Sequence, residues 1–450
     1  MLEVWASLNK SAVTQIHPDV IWLTPYNNQN LPSHCPTASS DFTHHHSRVT
    51  LMAINIPLRA TLVAIVLFAT LMLWSSPSDA LVYSQTGTPL KQEDFETHLN
   101  KDFIQSVDPL FLKTASTSKK DFSEKWEKSL KDGSVQFFRS YPPAYHRDLV
   151  QISPDKIPGE EGLCFGDAHP ENFGFLNLAQ EAVFAYNDLD DSGYCPIAYD
   201  ALRFFTALRL WFEDDALTKD VLEKYVDVVK DPMQSSSKLP LLSPACDKKD
   251  LDEVPKVSRF DDSDDLKRLA TSDPRYATIW SAVIKDKHFA SYKPLDIASR
   301  TKDDGGSGGL TRYWVLMEDK FKQRTIFELK EAPTPGVEYG RRSQVLSMNE
   351  RLPILKRAFW SDTSDHDYFY ITFSETRFLV RNRLNMKGIK IGKQCEGNAL
   401  KDLLFAEAKR MAIVHTNYWN NVKKDDLRLW LRGSSETLSK RWQAVYEKYH

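Results

Sequence analysis

The chain has 450 residues, of which 42% are hydrophobic and 26% are charged. A length of this order predicts two or three domains, and a composition this apolar excludes an intrinsically disordered chain. The formal net charge is −3 and no basic stripe with interleaved aromatic residues occurs, so the sequence argues against a nucleic-acid-binding protein.

The segment 52–80 has the layout of a secretory signal peptide. Arg59 supplies a positive charge, residues 60–74 are almost entirely apolar, and small residues precede a cleavage position at Ala80. The apolar run is shorter than the roughly 20 residues that a membrane-spanning helix needs. We therefore predict a periplasmic or secreted protein, with an uncleaved membrane anchor as the alternative. Residues 1–51 have no clear period and are predicted to be an upstream extension outside the fold.

Four cysteines follow the signal segment, and none of them forms a CxxC pair. Their spacing does not suggest a zinc site. In an oxidising compartment they can form two disulfides, and the sequence leaves the pairing open among Cys164, Cys195, Cys246 and Cys395.

The first half of the chain is predicted to be mainly helical, with one hairpin. Helical patterns cover residues 90–131, begin again at Tyr199, and cover 259–300. Two short strands at 173–178 and 182–186 form the hairpin, and 232–258 is predicted to be a proline-containing linker.

The pattern changes after residue 300. A glycine-rich turn leads into a strand with Tyr313 and Trp314, and TIFELKEA is a second strand. Residues 341–360 are predicted to be helical, YFYITFSETRFLVRNRL gives two further strands, and ALKDLLFAEAKRMAIVHTNYW is a long amphipathic helix. Helices separated from antiparallel-looking strands favour an α+β fold.

The loop GDAHPENFG, residues 166–174, combines residue types that suit phosphoryl transfer. Asp167 can orient or deprotonate a hydroxyl nucleophile, and the amide oxygen of Asn172 can bind Mg²⁺, which prefers oxygen ligands. The acidic segment that follows the hairpin contains Asp188 and Asp190, either of which suits a second metal ligand. Each motif alone also fits an ordinary turn, and the pair in this order is the stronger signal.

A glycine-rich turn and a lysine form the second group. The run 305–309 can cover phosphates with its backbone N–H groups, and Lys330 on the following strand can contact phosphate oxygens. The alternative is an exposed glycine hairpin with an edge-strand lysine.

The loop GDAHPENFG resembles the catalytic loop of aminoglycoside phosphotransferases and other protein-kinase-like enzymes. In that comparison Asp167 matches the catalytic base and Asn172 the metal-binding asparagine, while Phe165 stands where those enzymes have histidine. The segment NDLDDSGYCPIAYD resembles their metal-binding segment, which implies Asp188 as the metal carboxylate with Asp190 second. Asp200 matches an acidic residue that braces the catalytic loop.

A closer resemblance covers residues about 137–416. FFRSYPPAYHRDL, GDAHPENFG, GGLTRYWVLM, ELKEA, RFLVRNRLNMKG and AKRMAIVHT occur in the order typical of the bacterial domain of unknown function 2252 family. The family resembles kinase-like phosphotransferases, but here the catalytic and metal loops precede the glycine-rich segment. This order implies a circularly permuted, two-lobed kinase-like fold, which is permitted when the original termini lie close together.

The resemblance implies a division of the chain and a set of roles. An N-terminal helical segment at 81–150 precedes a catalytic region at 151–300, nucleotide-binding strands at 301–385 and a helical return at 386–450. ATP or another nucleoside triphosphate would bind with Mg²⁺, and an unknown hydroxyl compound would accept the phosphoryl group. The residues expected to hold the nucleotide are Gly305, Gly306, Gly308, Gly309, Lys330 and Glu350, the last as the partner of Lys330 with Glu338 as the alternative.

Two other functions remain open. Phe165 at the histidine position and the unusual glycine run favour a nucleotide-binding module without transfer activity. The second alternative is adenylyl transfer on the same scaffold, with the nucleotide inverted.

Overall fold

A computed structural model describes most of the chain from Thr88 onward. The described residues are 88–112, 116–178, 181–212, 214–231, 257–262, 264–300, 302, 305–360, 367–384, 386–388, 391 and 396–450. The predicted extension, the signal peptide and nearly all of the linker lie outside these ranges. All described residues fall within one unit, 79–450.

The described part of the N-terminal region contains five α-helices. They are α1 (Lys101–Val107), α2 (Pro109–Leu112), α3 (Ser116–Lys131), α4 (Ser134–Arg139) and α5 (Pro142–Leu149). The predicted helix 90–131 is therefore divided into three. Asn100 caps α1 by accepting a hydrogen bond from the Phe103 N–H. Pro109 starts α2 because it lacks the N–H that would continue a helix.

Two small antiparallel sheets follow. Strand β1 (Glu161–Cys164) pairs with β4 (Gly193–Pro196), and the predicted hairpin is formed by β2 (Phe173–Leu178) and β3 (Glu181–Tyr186). Because β1 and β4 are neighbours, the loop that leaves β1 and the loop that enters β4 lie side by side. Helices α6 (Ile197–Trp211) and α7 (Asp215–Lys230) come next.

A six-stranded antiparallel sheet forms the second part of the fold. Its order is β5-β6-β7-β8-β10-β9. In chain order the elements are α8 (Arg259–Asp262), β5 (Leu266–Arg268), α9 (Pro274–Lys285), β6 (Tyr292–Arg300), β7 (Arg312–Asp319), β8 (Arg324–Glu331), α10 (Met348–Trp360), β9 (Tyr368–Phe373) and β10 (Thr376–Asn382).

The prediction of a helix over 259–300 was wrong for most of its length, because only Arg259–Asp262 and Pro274–Lys285 are α-helical and Leu266–Arg268 forms β5. Residues Tyr292–Arg300 form β6, which pairs with β7. Pro294 disfavours a helix interior, and the strand is stabilised by a partner that lies beyond the glycine-rich turn. The helix predicted from 341 begins at Met348.

The chain then returns to the first part of the fold. Strand β11 (Met386–Gly388) pairs with β2, and two long helices follow, α11 (Gly397–His415) and α12 (Lys424–Tyr449). Helix α11 contacts α7 and β1, and α12 contacts α6 and α7. The long helix α11 therefore packs beside β1, the strand that ends at Cys164.

Antiparallel strands and helices are largely segregated, and the mixed composition is consistent with the predicted α+β class. Among the described residues, no helix combines the length and apolar character needed to cross a bilayer.

Candidate active site

The loop after β1 is held by a buried carboxylate on α6. Asp200 accepts hydrogen bonds from the backbone N–H groups of Phe165, at 2.7 Å, and Gly166, at 2.9 Å. His415 on α11 lies 3.1 Å from the same carboxylate through its Nε2 atom. The bracing role expected of Asp200 is therefore confirmed, and it connects three elements that are distant in sequence.

Gly166 occupies a position that other residues could not adopt without rearrangement. Its φ is +80°, in the left-handed region, and a Cβ atom there would lie 1.9 Å from the Asp191 carbonyl oxygen. Ser192 also donates from Oγ to the Phe165 carbonyl at 2.8 Å. The loop after β1 is thus in direct contact with the acidic loop 187–192.

Asp167 is almost completely buried beside an arginine of α6. Arg203 donates to Asp167 Oδ1 from Nε at 2.8 Å and from Nη2 at 2.5 Å. Burial alone would raise the pKa of Asp167, but the charge of Arg203, followed by the interaction with His169, holds that pKa below its usual range. Asp167 is therefore an ionised hydrogen-bond acceptor and a weak base.

His169 contacts side chains rather than the loop backbone. Its Nε2 atom accepts from Arg139 Nε at 3.2 Å and lies 3.4 Å from Asp167 Oδ2. Burial, followed by the charge of Arg139, lowers the pKa of His169 to about 4. The ring is neutral at pH 7, and acceptance from Arg139 assigns its proton to Nδ1.

Asn172 faces Asp167 across the loop. Its Nδ2 atom donates to the Asp167 carbonyl oxygen at 3.0 Å and to Asp167 Oδ2 at 3.2 Å. These bonds use the nitrogen of the amide, so Oδ1 is the atom suited to a cation.

Lys330 joins the six-stranded sheet to the acidic loop. Its Nζ atom lies 3.5 Å from Asp188 Oδ2 and forms a close ion pair with Asp190. Burial lowers the pKa of Lys330 to about 8, although Asp188 acts in the opposite direction. Asp188 and Asp190 each retain a buried Oδ1 atom with no hydrogen-bond partner among the described residues.

Arg351 on α10 holds the backbone of the acidic loop. Its guanidinium donates to the carbonyl oxygens of Ser192, at 2.9 Å, and Leu189, at 3.1 Å, and to that of Asp190. The carbonyls point toward α10, and the carboxylates of Asp188 and Asp190 remain on the side of Lys330.

The side chain of Asp191 contacts the backbone of the segment that follows β8. Its Oδ1 atom accepts from the Gly336 N–H at 2.7 Å. Burial, reinforced by the charge of Asp167, raises the pKa of Asp191 to about 7. This carboxyl group is therefore the member of the acidic loop that titrates near neutral pH.

The glycine-rich turn reaches the site only in part, and Glu350 does not reach it. Gly305 and Gly306 line the cavity beside Lys330, whereas Gly308 and Gly309 do not. Glu350 accepts a hydrogen bond from Ser347 Oγ at the start of α10, and Glu338 lies near Arg342. The expectation that Glu350 orients Lys330 is corrected, because the carboxylates beside this lysine come from the acidic loop.

One cavity brings the remaining site residues together. It is lined by four carboxylates and by basic side chains, and by proline residues on the side of α2 and α5. Its lining includes Asp167, His169, Asn172, Asp188, Asp190, Asp191, Lys330, Arg139, Lys302, Gly305, Gly306, Pro109, Pro142 and Pro143.

The donor atoms of this cavity fit Mg²⁺ better than a transition metal. Among the described residues, no group of three or more His, Cys, Asp or Glu side chains has the arrangement of a metal site. Two carboxylates each have an oxygen that accepts no hydrogen bond from the described residues, with Arg381 Nη1 3.9 Å from that of Asp188, and one amide oxygen is also present. Mg²⁺ is commonly held by one or two carboxylates, water and substrate phosphates, so the residues present fit this ion.

The sequence did not predict the roles of two arginines or the pairing of the cysteines. Arg203 lies three positions after Asp200 in one helix, so both face the same loop; this spacing was the available signal. Nothing local indicates Arg351. Cys164 and Cys195 form a disulfide between β1 and β4, while Cys246 and Cys395 lie outside the described residues.

Comparison with known proteins identifies a family to which this chain is similar. A family model described as "Uncharacterized protein conserved in bacteria (DUF2252)" matches residues 128–271 and 248–441. No curated protein and no solved structure gives a significant match. Since the two matched segments together span more than half of the chain, the chain belongs to the DUF2252 family.

Proposed function

We propose that this protein is a Mg²⁺-dependent, kinase-like phosphotransferase that transfers a phosphoryl group from ATP or a related donor to a hydroxyl compound. The observation that carries this proposal is the shared cavity. It gathers Asp167, Asn172, Asp188 and Lys330 beside Gly305, although the glycine turn and the lysine lie more than 100 residues after the acidic loop.

The environment of Asp167 fits the positioning of an acceptor hydroxyl. A carboxylate with a low pKa is a poor general base, but it is a fixed acceptor for a hydroxyl proton. Phosphoryl transfer depends chiefly on positioning and charge neutralisation, with little covalent work by the protein. Arg203 keeps Asp167 in one place, and Asn172 fixes its second oxygen.

The phosphate donor and its metal ion would bind at Asp188, Asp190 and Lys330. Bound Mg²⁺ would neutralise charge on the phosphates, and the Oδ1 atoms of Asp188 and Asp190, which accept no hydrogen bond from the described residues, are the atoms that would hold it. With these carboxylates engaged by the metal, the ammonium group of Lys330 would be available to phosphate oxygens.

The chain order supports a two-lobed, circularly permuted kinase-like arrangement. The glycine turn lies between β6 and β7, Lys330 lies on β8, and α10, the β9–β10 hairpin and the long helix α11 follow. The catalytic-like and acidic loops precede all of them. This is the order implied by the resemblance, with the chain cut between the long helix and the catalytic loop.

A module that binds its ligand without transfer is the second candidate. Phe165 packs in an aromatic cluster with Tyr186 and Phe359, at ring-centroid distances of 4.6 and 4.3 Å. Asp167 is already engaged by Arg203. Both observations would also be expected in a site that had lost transfer activity.

Incubation with ATP and Mg²⁺ distinguishes these functions. Label from the γ-phosphate in an acceptor or in water supports phosphoryl transfer, whereas label from the α-phosphate on protein supports adenylyl transfer. Binding without either product supports the binding module, and Lys330→Ala is the control for site-specific binding. No binding of any phosphate donor with Mg²⁺ would contradict the proposal.

We further propose that residues 52–80 direct export, which places the site in the periplasm or outside the cell. Export bears on the donor, because ATP is produced in the cytoplasm.

A further inference from the structure

We propose that Tyr225 on α7 is a positioning residue for the candidate catalytic loop, acting on that loop through His415 and Asp200. This inference rests on the proposed function, because it assigns Tyr225 an effect on turnover. It follows from a continuous chain of buried hydrogen bonds that ends at the loop carrying Asp167.

Four side chains from four segments of the fold form this chain of hydrogen bonds. Trp419, in the segment after α11, donates from Nε1 to the Tyr225 hydroxyl oxygen at 2.9 Å. The Tyr225 oxygen lies 2.8 Å from His415 Nδ1, and His415 Nε2 lies 3.1 Å from Asp200 Oδ2. All four residues are 0% exposed, so bulk water does not compete for these bonds.

The first member of the chain determines the direction of the hydrogen bonds. An indole N–H can only donate, so the Tyr225 oxygen is an acceptor toward Trp419. The hydroxyl proton of Tyr225 is then available for His415 Nδ1, and burial raises the pKa of Tyr225 well above its usual value, so this proton is retained. Acceptance at Nδ1 assigns the ring proton of His415 to Nε2, which faces Asp200.

Asp200 connects the hydrogen-bond chain to the candidate catalytic loop. Its carboxylate receives His415 Nε2 together with two backbone N–H groups of the loop, the second of which belongs to Gly166. Gly166 directly precedes Asp167, and Arg203, three positions after Asp200 on α6, bonds the Asp167 side chain. The backbone before Asp167 and its carboxylate are therefore both positioned from α6, and a displacement of His415 would reach the loop through Asp200.

The Tyr225 hydroxyl keeps the His415 ring in its orientation toward Asp200. Without this hydroxyl, Nδ1 would be a buried acceptor that has lost its donor, which costs free energy. Rotation of the ring would relieve this cost but would break the bond from Nε2 to Asp200. Local opening of the loop would then be more frequent, because one of the bonds that hold Asp200 is lost.

Trp419 is itself held at both sides of the hydrogen-bond chain. Its ring packs on the segment that leads into β1, since a Cβ atom on Gly159 would lie 2.9 Å from the ring. Its carbonyl oxygen accepts a hydrogen bond from Lys230 Nζ at the end of α7. The chain therefore begins beside the start of β1 and ends at the loop that leaves the same strand.

Tyr225→Phe removes the hydroxyl and keeps the ring. We expect the backbone amides of Phe165 and Gly166 in the full chain to exchange hydrogen about tenfold faster. Calorimetric affinity for magnesium ATP should stay within about twofold, while turnover should fall about tenfold, because the loop acts in the transition state. Tyr199→Phe is the matched control, since Tyr199 is equally buried and also loses one hydrogen bond, to the Leu149 carbonyl at 2.9 Å. Loop exchange and turnover in this control should equal those of the parent.

Two variants of His415 separate the hydrogen bond from the packing of the ring. In His415→Gln the side-chain amide can still donate to Asp200, whereas in His415→Leu nothing replaces the donor. The losses of loop protection and turnover should therefore be at least about threefold smaller in His415→Gln. Nitrogen-15 NMR of the parent should also show the His415 ring proton on Nε2 and none on Nδ1.

The possible results separate this inference from the proposed function. If Tyr225→Phe and Tyr199→Phe change loop exchange equally, or if the His415 ring proton lies on Nδ1, the inference is wrong while the proposed function is unaffected. If Tyr225→Phe weakens magnesium ATP binding as much as it lowers turnover, Tyr225 does not act through the catalytic loop and the inference is also overturned. If the parent transfers no phosphoryl group, the proposed function fails, and the assigned effect of Tyr225 on turnover fails with it.

Discussion

Arg203 on α6 donates two hydrogen bonds to one oxygen of Asp167, at 2.8 Å from Nε and 2.5 Å from Nη2. Both side chains are buried, so each neutralises a charge that would otherwise be isolated. The candidate catalytic carboxylate is therefore held in one position before any substrate arrives, and it is kept ionised by a residue outside the loop 166–174.

Arg203→Met should destabilise the fold by about 3–5 kcal/mol, because it leaves the Asp167 carboxylate buried without its partner. We also expect the pKa of Asp167 to rise in this variant. Urea unfolding measures the first effect, and carboxyl-selective NMR titration measures the second. Arg432→Met is the control, since Arg432 is half exposed and its ion pair should contribute at most about 1 kcal/mol. Equal stability of the two variants would contradict the proposed pairing.

Asp188→Ala and Asp167→Ala should fail in different ways. Loss of Asp188 removes a candidate metal ligand and one carboxylate beside Lys330, so binding of the metal–phosphate donor should weaken. Loss of Asp167 should leave donor binding nearly intact and lower turnover by about 10²–10⁴-fold, because its contact with the acceptor matters chiefly in the transition state. Calorimetry beside a turnover assay measures both, with Lys330→Ala expected to resemble Asp188→Ala. If Asp167→Ala keeps full turnover, Asp167 braces the loop and has no catalytic role.

Asp188→Ala should also lower the pKa of Lys330 further below about 8, since Asp188 now favours the charged ammonium. Because the folded-state pKa already lies below 10.5, the unfolded chain binds more protons between about pH 8 and 10.5. This lysine therefore makes the protein more stable as the pH rises through that window. Unfolding free energies of the parent and Lys330→Met across pH 7–10 should show this slope in the parent alone. The same slope in Lys330→Met would assign it to another group.

Glu407 on α11, which does not line the candidate cavity, offers a separate stability test. Its side chain is fully buried, and neither carboxyl oxygen has a hydrogen-bond partner among the described residues. Burial, and then the charge of Glu171, raises its pKa well above the usual value, so parent stability should fall as the pH rises above about 4.5.

Glu407→Gln removes this titration and should be more stable than the parent by at least about 1 kcal/mol at pH 7, with the gain shrinking toward pH 4. Thermal unfolding at several pH values measures it. Glu436→Gln on the exposed face of α12 serves as control. A gain that is constant with pH would show that the effect is not caused by protonation.

The disulfide between Cys164 and Cys195 encloses both candidate loops. The two cysteines are 31 positions apart, for which chain entropy predicts a stabilisation of about 3–4 kcal/mol. Cys164→Ala and Cys195→Ala should each lose this amount, and the double variant should lose little more, because either change removes the same bond. Denaturant unfolding of the three variants gives the comparison. Additive losses would mean that the two residues act separately.

Local sequence was sufficient for several parts of this protein. The β2–β3 hairpin, the strands β7 to β10 and the long helix α11 follow from hydrophobic period and turn residues, which act over a few neighbouring positions. The candidate roles of Asp167 and Asn172 could also be predicted from the sequence, because both residues lie within one loop at a spacing that suits these roles. The bracing role of Asp200 came from the resemblance to a family with a known order of motifs.

Tertiary structure decided what each of these side chains contacts. Residues 292–300 form strand β6 because they pair with β7. No pattern within these residues indicates that pairing. Lys330 lies against Asp188 and Asp190 rather than Glu350, because the fold brings the sheet into contact with an acidic loop that is distant in sequence. Buried ion pairs form between residues far apart in sequence, and their choice of partner depends on packing geometry and desolvation, which a linear pattern does not encode.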